Sequence, residues 1–439
     1  YQCYKLKEIH FSKSIEVIGN YSFCFCSSLL ISEQFPDSLI EIGNYSFSKC
    51  WFNDTINFGK NINYLPSYIF YNCNFKNNVT MSDEIIEIGD HAFEYAATQS
   101  ITLGKNVQII GQYAFHHCQD IESFTFPDSV VRIEKFALYE CLSLRSITFG
   151  KNIQFIGDNC FDSNYDLKNS IVIPNSVIEI GKQAFKSCYN LKSVSFEKNS
   201  QITTLKEGIF SECSSIESVE LCDSITTIED SAFKRCSKLK YINLPDSVIN
   251  LGSSIFWECT DLLNFTFGQA IESIPPNTFE NCNSLTSIEI SDSIITIYEK
   301  AFYQCENLEY VALGCDTENI KFEAFSYCIR LRSITNTESL WYFESNCFSN
   351  TNLTTINLSE ISSISNNAFE NCYNLESVIS KPLNTIGYYS FNNCFKLKYL
   401  NLGILDQLRN FAFCNCSNLE GSIIISNFSE YEIGTCECY

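Results

Sequence analysis

The sequence predicts a parallel β-solenoid. It reads as one elongated domain over residues 1–439, made of about 18 repeats of ~23 residues. Each repeat would give one strand to a parallel ladder on the concave face, a second short strand and one helical turn. Three observations carry this prediction. Phe-x-x-Cys recurs from Phe23 to Phe413, with Phe233, Phe256, Phe279 and Phe302 each 23 residues apart and extreme spacings of 25 (Phe185 to Phe210) and 21 (Phe348 to Phe369). The apolar residues around each Phe fall at fixed offsets, so they form columns when repeats are superposed. No single repeat has enough apolar surface to close a core by itself, so burial must come from stacking on neighbours.

The stretch Pro174–Phe196 (PNSVIEIGKQAFKSCYNLKSVSF) shows each element. Leu191-x-x-Val194-x-Phe196 alternates apolar and polar residues, as a half-buried strand does. The spacing returns at Leu144/Ile147/Phe149, Leu239/Ile242/Leu244 and Leu285/Ile288/Ile290. A turn follows, written Pro-Asp-Ser (Pro36, Pro127, Pro245), Pro-Asn-Ser (Pro174) or Gly-Lys-Asn (Gly59, Gly104, Gly150). Proline presets φ there, glycine relieves crowding, and Asp or Asn can bond the local backbone. Val177-x-x-Ile180-Gly181 is then a second short extended segment ending in a bend. Ala184-Phe185-x-x-Cys188 is expected to make about one helical turn, with Phe and Cys pointing inward. With strands ~4.8 Å apart, the repeats would stack into a body on the order of 90 Å long.

The chain opens in the second half of a repeat (Cys3, Leu6, Ile9, Phe11), and Ile433-Gly434 begins a further one, with Cys438 where Phe belongs. Both ends therefore fall mid-repeat without the polar caps a solenoid needs, so the expectation is a segment of a longer protein. Leu29–Phe35 is irregular and is expected to bulge as a longer loop. After Phe348 the spacing shortens, and Asn336, Ile379 and Ser380 break the strand pattern, which predicts bending or loosening there.

Composition narrows the function. The net charge is −22, from 51 acidic and 29 basic residues without a basic stripe, which excludes nucleic acid and anionic membrane surfaces as natural partners. No apolar run approaches the twenty residues of a membrane-spanning helix, so no direct membrane insertion is expected within this segment. Of 24 cysteines, sixteen lie in register, and Ala96, Asn164 and Thr351 fill the same slot elsewhere. A slot that accepts Ala, Asn or Thr calls for a small side chain, so these cysteines read as buried free thiols.

Chemistry-bearing constellations are scarce. His116-His117-Cys118 is the nearest approach to a metal cluster, but Cys118 belongs to the buried column and no further ligands converge. Cys24-x-Cys26, Cys414-x-Cys416 and Cys436-x-Cys438 lack the spacing of zinc or redox motifs. Phosphate-binding loops and nucleophile elbows do not occur. No catalytic residue, cofactor or metal is assigned, and an enzyme is not expected. What remains is the outward face of the strand ladder, the three x positions of Leu-x-x-Ile-x-Phe, which are rich in Ser, Thr, Tyr and Asn with charges of both signs. The candidate binding residues are Lys192, Ser193, Ser195, Glu217, Ser218, Glu220, Lys240, Tyr241, Asn243, Glu289, Glu309 and Tyr310. A broad, shallow sheet of this kind suits an extended protein or glycan surface and does not enclose a small molecule. Asn-x-Ser/Thr sequons occur at Asn20, Asn44, Asn53, Asn78, Asn264, Asn352, Asn357, Asn415 and Asn427.

The unit Leu-x-x-Ile-x-Phe-Pro-x-Ser-Val-x-x-Ile-Gly-x-x-Ala-Phe-x-x-Cys, carried here by Leu191–Phe196, Pro174–Ser176, Val177/Ile180/Gly181 and Ala184/Phe185/Cys188, resembles the repeat of the BspA-like leucine-rich repeat family. The resemblance covers essentially the whole chain. It implies a leucine-rich repeat solenoid, placement at the cell surface or in secreted form, and adhesion to host cells or matrix by a microbial parasite. It implies no catalytic residues. The alternative is an intracellular, cytoplasmic scaffold that assembles protein partners on the same face. Self-association through uncapped ends stays open.

Overall fold

A computed structural model describes residues 2–31, 34–53, 56, 58–420 and 424–425. The chain divides into two compact units, Tyr1–Ile225 and Thr226–Tyr439. Both are parallel-strand solenoids, and no helix occurs among the described residues.

Two ladders run through each unit. In the first unit, Ser123–Thr125 pairs with Ser146–Thr148, and Ile171–Ile173 pairs with Ser193–Phe196, which pairs with Ser218–Glu220. In the second, Ser287–Glu289, Tyr310–Ala312 and Ser333–Thr335 form the same ladder. The second short segment of each repeat is a two-residue strand. Tyr64–Leu65, Glu87–Ile88, Ile109–Ile110, Arg132–Ile133, Phe155–Ile156 and Glu179–Ile180 make one parallel sheet in the first unit. Register holds because each strand has one apolar inward position, and a one-residue slip would expose it. Val194, Ile288 and Val311, between exposed or half-buried neighbours, are 1–4% exposed.

The expected helical turn is replaced by consecutive tight turns. Around Phe302, the N–H groups of Ala301, Tyr303 and Cys305 donate within their own turn, to Tyr298, Lys300 and Phe302 O. Those of Lys300, Phe302 and Gln304 donate instead to Phe322, Ala324 and Ser326 O of the next turn, at 2.8–3.0 Å. A helix would keep all its bonds inside the segment. Here every second N–H is turned toward the neighbouring repeat, so the bend becomes a third ladder. The geometry places two residues per turn at positive φ, two before and two after the Phe, as at Lys300 (54°) and Gln304 (57°). Among the described residues, Gly208 is the one glycine found there.

The Pro-Asp-Ser and Gly-Lys-Asn turns, which the sequence presents as alternatives, are complementary halves. Asp128 Oδ1 accepts from Lys151 N (3.0 Å), Asn152 Nδ2 donates to Asp128 O (2.8 Å), and Ser129 Oγ donates to Val107 O (2.7 Å). A Cβ on Gly150 would collide with the Pro127 carbonyl, so glycine is required where the preceding repeat carries Pro-Asp-Ser. Asp83 with Lys105 and Asn106 repeats the arrangement.

The break expected at Ile379 and Ser380 does not occur. Ser377–Ile386 and Tyr399–Leu408 are ten-residue strands that run from the first ladder into the second. The two strands pair with register shifts between Val378, Leu383 and Thr385. Within the irregular stretch after Leu29, Leu30–Ile31 pairs with Trp51–Phe52. Its residues 32 and 33 lie outside the described residues, as do residues 54 and 55 of the Asn53 sequon, the Asn427 sequon, Ile433-Gly434, Cys436 and Cys438.

Candidate binding face

Every sequence-predicted binding residue sits on the outward side of the first ladder, six in each unit. Lys192, Ser193, Ser195, Glu217, Ser218 and Glu220 belong to the first unit, on or beside Ser193–Phe196 and Ser218–Glu220. Lys240, Tyr241, Asn243, Glu289, Glu309 and Tyr310 belong to the second. All are exposed or half-buried, because the pleat turns them from the core as it turns Val194 or Ile242 into it. In each unit they line a surface and do not converge on a pocket. Charges on the face are partly neutralised by neighbours: Arg145 lies 3.1 Å from Glu122 and 4.0 Å from Asp166.

Three features escaped the sequence. In the first unit, the residues two before each Phe stack into a continuous pile: Tyr21, Tyr45, Tyr68, His91, Tyr113 and Phe136, with centroids 4.3–4.9 Å apart and nearly parallel planes. Beside it, buried Glu94 accepts from His91 Nδ1 (2.6 Å) and from His116 Nδ1 of the next turn (2.8 Å). His117 Nε2 donates to Glu140 at 2.9 Å. Burial works to raise the Glu94 carboxyl, but the bonds from His116 and His91 outweigh it and hold the group down to about 2. Burial, with His116 alongside, lowers His117. These histidines serve carboxylates and Cys118 points away from them, so the triplet does not assemble into a metal centre. In the second unit, a shallow groove of about 510 Å³ runs past Gln269, Glu272, Cys315, Glu318 and Ser339. Its position could not be read from spacing, because it arises from the two-residue strands and turns of neighbouring repeats.

The cysteine column has a chemistry of its own. All described cysteines are free. Cys73, Cys118, Cys282 and Cys372 each direct the thiol to the carbonyl of the Phe one turn back, at 2.9–3.3 Å. Asn164 substitutes its amide, donating to Leu138 O at 2.9 Å. Burial pushes the thiols up, Cys141 and Cys305 to about 12, which makes them poor nucleophiles.

Short parallel coils stacked in each unit, with an open polar sheet, define a solenoid repeat protein with a surface for binding. The chain belongs to the BspA type leucine-rich repeat family, whose sequence profile matches residues 1–121, 86–216, 203–321 and 295–420. A crystal structure of a leucine-rich repeat protein from Bacteroides ovatus is 26% identical, covering 76% of this chain and 79% of that one, with a TM-score of 0.59. A leucine-rich cell surface protein from Faecalibacterium prausnitzii is 24% identical, covering 73% of this chain and 82% of that one, with a TM-score of 0.40. No curated protein sequence gives a significant match. No helix among the described residues is long and apolar enough to cross a membrane.

Proposed function

We propose that this chain is a non-catalytic binding module that takes an extended protein or glycan ligand on its strand face, and that it acts at the cell surface or in secreted form as an adhesin of a microbial parasite, contacting host cells or matrix. The observation that carries the reading is the outward column set itself, where exposed Tyr, Asn, Ser and Thr side chains repeat strand after strand over a rigid core. Membership of the BspA type supports the surface placement. A second reading, a cytoplasmic scaffold using the same face, is favoured by the free thiols, since a reducing interior preserves them. Antibody labelling of intact source cells separates the two. External staining, together with binding of the purified chain to host cells that Tyr241→Ala weakens, supports the adhesin. Staining only after permeabilisation overturns it in favour of the scaffold.

A further inference from the structure

We infer that the middle of the strand face in the second unit, from Tyr241 to Thr335, takes an uncharged polysaccharide chain lying across the strands, with sugar rings seated on Tyr241 and Tyr310. The inference rests on the reading of this face as a binding surface and specifies its ligand.

Tyr241 and Tyr310 are each 51% exposed, and neither ring stacks on another aromatic side chain among the described residues. The tyrosines of the turn face behave oppositely. Tyr45, for example, is sandwiched between Tyr21 and Tyr68, so its ring faces are already occupied. On the strand face the flat surface of each phenol is left to solvent. Tyr241 and Tyr310 lie three strand steps apart, on the order of 14 Å at the usual strand spacing. Between them the exposed side chains of the two columns are Asn243, Asn264, Thr266, Ser287 and Glu289, all but the last amides and hydroxyls that both donate and accept.

Charge decides the class of polymer. In the two outward columns that hold Tyr241 and Asn243 only Glu289 is ionised, with Glu309 and Arg332, of opposite sign, beside them, although the chain as a whole carries −22. A polyanion such as a sulfated glycan would meet no cationic track here, and a cationic peptide would find most of the molecule's carboxylates elsewhere. The band also has little aliphatic surface to anchor a folded protein, with Ala312 in the columns and Leu263 beside them as its aliphatic positions. A pyranose chain fits what is left. Each ring has an apolar face of C–H bonds that packs on an aromatic ring, and a rim of hydroxyls that pairs with amides and alcohols. An open, pocketless sheet accepts such a chain along its length and cannot surround a monosaccharide.

The test is calorimetric titration of the full chain, made in bacteria so that the Asn264 sequon stays bare, with cellohexaose, laminarihexaose and mannohexaose. Heparin and immobilised collagen serve as polyanion and protein comparisons. At least one hexasaccharide is expected to bind. Tyr241→Ala and Tyr310→Ala should each weaken it by about tenfold or more, and Tyr45→Ala should not. Melting curves confirm that the variants are folded. Hexasaccharide binding that survives both substitutions, or a preference for heparin, overturns the inference. If only collagen or host cells are bound and Tyr241→Ala abolishes that, the inference fails while the binding-face reading stands. If cell binding is indifferent to both tyrosines, the reading of the face fails as well.

Discussion

The Cys305 thiol sits 3.0 Å from the carbonyl oxygen of Phe279, one turn back along the solenoid. The same oxygen accepts the Cys282 N–H at 3.1 Å, so each Phe carbonyl is used twice, once within its turn and once between turns. This accounts for the frequency of Cys in the slot: it admits only a small side chain, as Ala96 shows, and a small one with a donor adds a bond between turns. Cys305→Ala should therefore cost about 1–3 kcal/mol, from lost packing and a lost hydrogen bond, and Cys305→Ser, which keeps the donor, should cost less. Denaturant titration of the two variants checks the order. A native-state thiol assay should see the exposed Cys3 and Cys315 and spare the buried column until denaturant is added.

The pairing of unlike turns gives a sharper prediction. A methyl group on Gly150 would run into the Pro127 carbonyl, whereas at Gly19 the nearest atom, Ser22 Oγ, is 3.7 Å away. Gly150→Ala should destabilise the chain by about 1–3 kcal/mol or more, and Gly19→Ala should change it little. Equal effects at the two sites in thermal unfolding would show that the turns are not interlocked.

The period, the two ladders, the buried columns and the outward face were legible in the sequence because each is written as side-chain chemistry at a fixed offset. The turn was misread because its determinant is a backbone state. Positive φ is usually flagged by glycine, and here it falls on Tyr113, Glu140, Lys300 and Tyr327, whose side chains say nothing about it. The ladder of N–H groups leaving each turn compensates for that conformation, and such a bond is invisible in one repeat taken alone. The fused strand at Ser377–Ile386 was hidden for a related reason: Ile379 and Ser380 read as breaking the strand pattern, yet they pair with Asn357 and Leu358 of the neighbouring strand. For the binding face, exposure could be predicted from alternation, but the contrast between stacked and unstacked tyrosines could not.

That contrast is testable on the stacked side too. Tyr68 lies between Tyr45 and His91, at 4.3 Å from each. Tyr68→Ala removes both contacts and should cost about 1–3 kcal/mol, while Tyr68→Phe, which keeps the ring, should stay close to the parent. Hydrogen exchange in the turns around Phe47, Phe70 and Phe93 should rise in the first variant and not the second.

Acidification should loosen the same region. The Glu94 carboxyl falls from its ordinary 4.5 to about 2 on folding, so the unfolded chain binds its proton first. The contribution of Glu94 is complete above about pH 4.5 and is lost as pH falls toward 2, a loss of about 2–3 kcal/mol at most. His117 acts in the same direction at milder pH. Its folded value is depressed below 6.5, so protonation favours the unfolded chain as pH drops through that range. The cause is visible in its ring: Nε2 donates to Glu140, Nδ1 is buried without a partner, and Tyr95 stacks on one face, leaving no acceptor for a second proton. His116 and Tyr139 flank the group as well. Hydrogen exchange of the segment from His91 to His117 should therefore accelerate relative to the remote turn at Phe302 as pH is lowered, after correction for intrinsic rates. His117→Gln should flatten the change below pH 6.5, and Glu94→Gln the change below pH 4.5. A region that stays equally protected from pH 7 to 3 would show that these carboxylate–histidine bonds do not hold the turns together.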